Sequence, residues 1–363
     1  MLRVYGVTYD HSTNYGSCFQ AYALQTAIKK IRINGENCSY HLIPLREMQD
    51  YPVKRHILYP FFKLLWNYQR LQFKSFDKNY MQYAAISKMT DLVKLNDIAD
   101  AFVCGSDVIW NTDVNNRIGA YYLDFAQKYA FSYAASFGKA EISKADILST
   151  RTWLNSLNAI SVREKTSFDV AKQCTEKPVE IVADPVILLK PYEWKTMTEP
   201  LPNTQKYIFA YTTHMNKTFK QFLTVLKKQT GLEVVVSICS PRQAVEQRIF
   251  TVHTPLKWLS LLRGAEYVLT NSFHATVFSV LFHKKFFTVV FGDKAKGINM
   301  RMNDFLNTVG LERRIFSSVP DVIDISEANY AYTDDAIARI RSESLVYLQQ
   351  NLEEAYKRKL ADC

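Results

Sequence analysis

The chain contains no C-x-x-C pair, although it carries six cysteines: Cys18, Cys38, Cys104, Cys174, Cys239 and Cys363. Most fall inside apolar patterns, as Cys104 does after Ala101–Phe102–Val103. They read as reduced core residues, so neither a disulfide framework nor a zinc site is expected. No apolar run reaches the length of a membrane span, and no secretory leader pattern precedes the first strand pattern at Arg3. A cytoplasmic protein is therefore expected, either free or resting on the inner face of the membrane. The G-x-G-x-x-G fingerprint of dinucleotide sites is missing, as are low-complexity tracts and internal repeats. No grouping of carboxylates and histidines has metal-ligand spacing, so no metal and no bound cofactor are expected.

What is present is a chain of 363 residues, 48% hydrophobic and 22% charged, with a formal net charge of +10. That length suits two domains of ordinary size, and that composition is neither disordered nor membrane-spanning. The positive excess predicts attraction to something anionic without choosing among a phosphorylated substrate, a lipid surface and nucleic acid. Nucleic acid is the weakest choice, because no recognised binding module accompanies the charge. Half of the excess lies between Tyr51 and Tyr80, where Lys54, Arg55, Lys63, Arg70, Lys74 and Lys78 stand against Asp77 alone. Phe61, Phe62, Leu64, Leu65, Trp66, Leu71, Phe73 and Phe76 give the same stretch a helical apolar spacing. It reads either as a helix lying on a membrane or as a domain helix with a solvated basic face.

Apolar runs of strand length alternate with helical patterns in both halves. Strands are expected at Arg3–Tyr9, Cys38–Ile43, Ala101–Cys104, Phe131–Ser136, Ala159–Val162 and Val179–Ala183, and then at Tyr207–Tyr211, Leu232–Ile238, Tyr267–Thr270 and Phe286–Val290. Such alternation predicts an α/β protein of two Rossmann-like parallel-sheet domains facing a cleft. The division is expected as 1–190 for the first domain, on the acceptor side and with a basic helical insertion at 51–80. A proline-bearing linker at 191–205 follows, then a second domain at 206–330 on the donor side. A charged C-terminal helix within 331–363 is expected to cross back.

Ligands of open α/β sheets bind where strands run out at their carboxyl ends. After the first strand, Asn14, Tyr15, Gly16 and Ser17 open a helix, and the backbone N–H groups of Gly16 and Ser17 suit a substrate oxygen. An ordinary helix start capped by Ser12, Thr13 or Asn14 explains the same residues. Ser106 and Asp107 follow another strand, with Trp110 and Asn111 behind them; an indole beside an acid and an amide suits a sugar, and equally a turn with a core tryptophan. Arg163 stands at the end of a buried strand, where it either forks onto an anionic ligand or pairs with Glu164 or Asp184. Asn271, Ser272, Phe273 and His274 sit where an apolar strand becomes the N-terminus of an almost wholly apolar helix. Arg301 precedes another helix, as a ligand group or as a surface ion pair.

The string Thr270–Asn271–Ser272–Phe273–His274–Ala275, followed by Arg301–Met302–Asn303–Asp304–Phe305–Leu306 and Gly310–Leu311–Glu312, resembles the polysaccharide pyruvyl transferase family. Asn14–Tyr15–Gly16–Ser17, Gly105–Ser106–Asp107–Val108–Ile109–Trp110–Asn111, Tyr133–Ala134–Ala135–Ser136–Phe137–Gly138, Ser161–Val162–Arg163–Glu164 and Asp184–Pro185 agree with it in order. The resemblance implies a fold like that of two-domain GT-B glycosyltransferases. It also implies transfer of a pyruvyl group from phosphoenolpyruvate to a sugar diol of a cell-surface polysaccharide or its precursor, lipid-linked or free. His274 and Arg163 are then the expected catalytic pair, and Arg163, Asn271, Ser272, His274 and Arg301 the donor side. The acceptor side comprises Asn14, Tyr15, Gly16, Ser17, Ser106, Asp107, Trp110 and Asn111. Many members carry arginine–leucine–histidine where this chain has Ser272–Phe273–His274, and Arg301 is the candidate to supply the missing charge. Two rivals share the sequence: a nucleotide-sugar glycosyltransferase of the same shape, and a non-catalytic partner in glycan assembly at the membrane surface.

Overall fold

The computed structural model describes residues 1–9, 13–45, 48, 59–113, 115, 118–201, 205–238, 253–290 and 296–362, and gives backbone alone at 59–66 and 296–299. Cys239, Cys363, Lys54, Arg55, residues 51–58 of the basic insertion and 202–204 of the expected linker lie outside these residues. The first half runs β1 (Leu2–Val7), α1 (Tyr15–Lys30), β2 (Arg32–Ile33), β3 (Glu36–Leu42), α2 (Tyr59–Tyr80), β4 (Ala101–Cys104), β5 (Tyr129–Ser132), α3 (Lys144–Ser156), β6 (Ile160–Val162), α4 (Lys165–Cys174) and β7 (Val179–Ile181). Two short helices, α5 (Pro185–Leu188) and α6 (Pro191–Thr196), lead to the second half. That half runs β8 (Tyr207–Thr212), α7 (Lys217–Thr230), β9 (Glu233–Ile238), α8 (Pro255–Gly264), β10 (Tyr267–Thr270), α9 (Phe273–Leu281), β11 (Lys285–Val289), α10 (Lys296–Thr308), β12 (Ile315–Phe316) and α11 (Ala331–Ala361).

The strand order of the first sheet is β2-β3-β1-β4-β5, parallel except for the β2–β3 hairpin. The parallel pair β6–β7 continues it, since the Ser132 amide donates to the Ala159 carbonyl at 3.0 Å. The second sheet is β12-β11-β10-β8-β9 and wholly parallel. In each, the chain builds outward on one side and then returns to build on the other. The crossover points lie between β1 and β4 and between β8 and β10, and these are the crevices in which doubly wound sheets hold ligands. The fold is thus two Rossmann-like parallel-sheet domains, as the strand rhythm implied.

Two differences from the sequence reading, and one choice that it left open, have local causes. The strand expected to reach Ser136 stops at Ser132, because Ala134 takes a left-handed φ of 51° that ends regular pairing. The proline-bearing linker is partly helical: Pro191 opens α6 at its first position, and Trp194 inserts fully into the core with its indole N–H donating to the Val186 carbonyl at 3.0 Å. In the basic insertion, Gln69, Phe73 and Phe76 face inward from α2, while Arg70, Lys74 and Lys78 stay exposed. Its inner face packs on the first domain, with Phe76 edge-on to Phe19.

One apolar core runs through both halves. Phe19 of α1, Trp194 of α6, Trp258 of α8 and Phe278 of α9 share it, and each is fully buried. Helix α11 spans the two: Thr333 donates to the Val309 carbonyl at 2.8 Å in the second half. Further along, Tyr347 donates to the Ser132 carbonyl at 3.0 Å, and Lys359 reaches Asp100 at 3.1 Å in the first.

Candidate functional site

The two crossover points meet. From the first sheet comes the start of α1, capped by Asn14, whose side-chain oxygen accepts from the Gly16 amide at 2.9 Å. Ser17, next in that turn, donates to Asp107 Oδ2 at 2.6 Å. Asp107 follows β4 with a left-handed φ of 69°, a conformation that aspartate tolerates because its short side chain bonds locally; here Oδ1 accepts from the Val108 amide at 2.9 Å. From the second sheet comes the start of α9, where His274 is the second helical residue and is 6% exposed.

Asp184 joins them. It ends the segment after β7 and caps α5, its Oδ1 accepting from the Val186 amide at 3.0 Å with Pro185 at the first helical position. Its other oxygen, Oδ2, is reached by Arg163 Nη1 at 2.9 Å, by His274 Nε2 at 3.3 Å and by Ser106 Oγ at 3.4 Å. Arg163 also donates from Nε to Glu164 at 3.2 Å, and its Nη2 lies 3.9 Å from Asp107 without a hydrogen bond. Its guanidinium stacks over the Phe273 ring at 4.6 Å, and that of half-buried Arg301 stands 5.9 Å from the same ring. A cavity of about 300 Å³ adjoins, with Arg163, Asp184, Phe273, Arg301, Asp304 and Glu343 in its walls.

Electrostatics favour the ionised forms of Asp184, Asp107 and Arg163. Burial pushes the Asp184 carboxyl up, but His274 and then Arg163 outweigh it and hold the group well below the usual carboxylate range. Asp107 is lowered in the same way, against burial, by His274, Arg163 and the Ser17 hydroxyl. Burial works against the Arg163 cation, yet Glu164, Asp184 and Asp107 together raise it above its ordinary value. Arg301 is lowered, by burial first and then by the positive charge of Arg163.

The cluster therefore gathers Gly16, Ser17, Ser106, Asp107, Arg163 and His274 of the residues read from the sequence, with Arg301 beside them; Ser272 bonds through its backbone to Thr270 and Thr276 of its own segment. Others stand apart. Trp110 is not a sugar platform: it is fully buried, lies flat on Tyr122 at 5.0 Å, and donates its indole N–H to the Tyr121 carbonyl at 3.3 Å. Tyr15 is likewise fully buried, stacked on Trp258 at 5.0 Å with its hydroxyl donating to the His253 carbonyl. Asn111 accepts from the Asp113 amide in a local turn. The Asn271 side chain is committed to the end of β8, accepting from the Thr213 amide at 2.9 Å and donating to the His214 carbonyl at 2.8 Å. Arg163 is in large part the structural ion pair that the sequence allowed, with two of its three nitrogens engaged. Asp184 was read as its partner and within the Asp184–Pro185 string of the resemblance, but not as a site residue; the aspartate–proline step after a strand was the available sign of a buried capping carboxylate. Among the described residues no group of three or more histidine, cysteine, aspartate or glutamate side chains is arranged to hold a metal ion, and no helix is long and apolar enough to cross a membrane.

The family described as polysaccharide pyruvyl transferase matches residues 14–291. No curated protein matches the chain. Among solved structures, S. aureus MnaA in a co-structure with UDP is 11% identical with a TM-score of 0.48, over 97% of this chain and 91% of that one. The UDP-GlcNAc 2-epimerase of Neisseria meningitidis bound to UDP-GlcNAc is 11% identical with a TM-score of 0.47, over 95% and 99%. That of Methanocaldococcus jannaschii, in complex with UDP-GlcNAc and UDP, is 11% identical with a TM-score of 0.49, over 95% and 99%.

Proposed function

Since the chain belongs to the polysaccharide pyruvyl transferase family, a family of transferases, we propose that it moves the pyruvyl group of phosphoenolpyruvate onto two hydroxyls of a saccharide, forming a cyclic ketal and releasing inorganic phosphate. In the balanced reaction the methylene carbon of the donor gains one proton and becomes a methyl group. Each sugar hydroxyl loses one proton as its oxygen bonds the former enol carbon; one of these equals the proton gained by carbon and the other leaves on phosphate. The breaking bond is that between the enol carbon and the phosphate oxygen.

One observation carries the reading: His274, Asp184 and Arg163 form a contiguous buried set where the two ligand-binding crevices meet. The reaction needs a group that gives and regains a proton near neutral pH, and an imidazole at a crevice suits that work. It also needs cations for a donor bearing a carboxylate and a phosphate. Arg163 Nη2 has no hydrogen bond among the described residues, and Arg301 adds a second positive charge across the Phe273 ring. This assigns to Arg301 the charge that Ser272 does not provide. Ser17, Ser106 and Asp107, on the first-domain wall, are the groups suited to sugar hydroxyls. The acceptor in this reading is a cell-surface polysaccharide or its precursor.

Thermal-shift titration tests the donor without knowledge of the acceptor, because a ligand that binds the native state raises its melting temperature. Phosphoenolpyruvate is expected to stabilise the protein, and His274→Asn to keep that stabilisation. The same variant is expected to lose about 10²–10⁴-fold in acceptor-dependent phosphate release. Stabilisation by nucleoside diphosphates with no response to phosphoenolpyruvate would overturn the assignment in favour of a glycosyltransferase.

A further inference from the structure

From Asn67 onward, helix α2 packs inward with one side and leaves the other in water. Gln69, Phe73 and Phe76 are buried against the first half, while Arg70, Leu71, Lys74 and Lys78 are exposed. Leu71 is 62% exposed among these cations, and Tyr68, three residues before it, is 49% exposed. Positions 67, 71, 74 and 78 follow the repeat of a single helical face, so these residues form a stripe. A groove of about 770 Å³ follows the stripe, with Arg70, Leu71, Lys74, Lys78 and Met81 in its walls and Asp77 as the one carboxylate there among the described residues. The inner side also ties α2 to the first-domain wall of the site: Gln69 donates to the Thr13 carbonyl at 3.0 Å, and the Phe73 ring meets Tyr15 at 5.0 Å.

We propose that this outward face of α2 docks on an anionic lipid bilayer, its cations on the lipid phosphates and Leu71 with Tyr68 entering the headgroup layer between them. Charge complementarity supplies the attraction: the stretch from Tyr51 to Tyr80 carries half of the +10 excess, and each cation near an acidic leaflet strengthens binding. The apolar groups name the partner. A nucleic acid or a dissolved polyanion is met by cations alone, and an exposed leucine gains nothing from either. At the headgroup boundary both kinds of group are satisfied, the aliphatic stem of a lysine lying along the apolar layer with its ammonium at the phosphates. The helix needs no refolding for this, because its inner side is already packed. Gln69 and Phe73 fix α2 beside the segment that opens α1, so the docked face sets the saccharide wall next to the membrane. A lipid-linked acceptor for the proposed reaction is then presented on this side, and that consequence alone rests on the pyruvyl transfer reading.

Sedimentation with phospholipid vesicles tests this on the full chain. Vesicles of phosphatidylcholine with a minor share of phosphatidylglycerol are expected to pull the protein down, and vesicles of phosphatidylcholine alone to leave it in solution. High salt is expected to release it, because exposed charges are screened. Lys74→Gln with Lys78→Gln is expected to weaken the binding by roughly 30-fold, about fivefold for each lysine. Leu71→Gln, at unchanged charge, is expected to weaken it about fivefold, as loss of a partly buried leucine does. All three positions are exposed, so the variants are expected to keep the wild-type melting temperature. Equal sedimentation with both kinds of vesicle, or wild-type binding in the lysine variant, overturns the inference. So does release from the vesicles by dissolved glycerol phosphate at matched ionic strength, which would put a small phosphate ligand in the groove. The readout needs no donor: vesicle binding by a protein that ignores phosphoenolpyruvate sinks the pyruvyl transfer reading and leaves this one standing, and the reverse result sinks this one alone.

Discussion

At the scale of residues, the site is built around a carboxylate rather than around its arginine. Asp184 is fully buried yet ionised, and such a group costs free energy unless cations and hydrogen-bond donors surround it. Arg163, His274, Ser106 and the Val186 amide are that surround. The linkage has a definite sign. The folded carboxyl titrates below its ordinary value of 3.8, so its contribution to stability is fully present above that value and is lost as the pH falls towards the folded one. Asp107, lowered from the same value, adds in the same direction. Melting temperatures followed from neutral pH to below 3.8 are expected to fall steeply in the wild type and less steeply in Asp184→Asn. Equal slopes would mean that this carboxylate does not carry the acid sensitivity.

At the scale of elements, each helix that delivers a site residue is fixed by apolar packing close behind it. Helix α9 presents His274 on its first turn and buries every one of its residues, including Phe278 against Phe19, Trp194 and Trp258. A helix buried on every side cannot turn towards solvent, so the histidine's direction follows from the packing. Helix α11 works at longer range: Leu348 and Leu352 are fully buried, while Tyr347 ties the helix to the end of β5 and Ser344 accepts from the Ala183 amide beside Asp184. Leu348→Ala is expected to cost about 2–5 kcal/mol, as removal of a buried leucine side chain does. Urea unfolding at an unchanged denaturant slope checks it. A loss far below this range would mean that α11 is only loosely docked on the first half.

At the scale of the whole molecule, the two sheets are not joined by linker contacts alone. Tyr15 of the first half lies flat against Trp258 of the second at 5.0 Å, and Tyr211 meets both rings edge-on. Trp194 fills the space between Phe19 and Phe278. Apolar surface shared in this way is exposed only when both halves let go, which couples their stabilities. Calorimetry is therefore expected to give one unfolding transition, with calorimetric and van't Hoff enthalpies in agreement. Two separable transitions would show that each sheet unfolds by itself.

The sequence alone determined the parallel-sheet class, the described strands other than the short β2 and β12, and the three segments that supply Gly16, Arg163 and His274. Those features rest on local information: apolar period, capping chemistry, and the placing of polar residues where strands end. Reading Trp110 as a sugar platform, and Tyr15 on the acceptor side, failed because an aromatic ring near a crevice looks the same in sequence whether its face is open or packed. Only the fold covers it, with Tyr122 in one case and Trp258 in the other. The sequence left Arg163 open between an anion receptor and an ion pair with Glu164 or Asp184, and the sheet order, which brings Asp184 and also Asp107 close, commits most of its guanidinium to pairing. What tertiary structure decided was the pairing of groups: which carboxylate meets which cation, and which edge of His274 faces Gly16. Those are distances between segments, and periodicity along one segment carries no information about them.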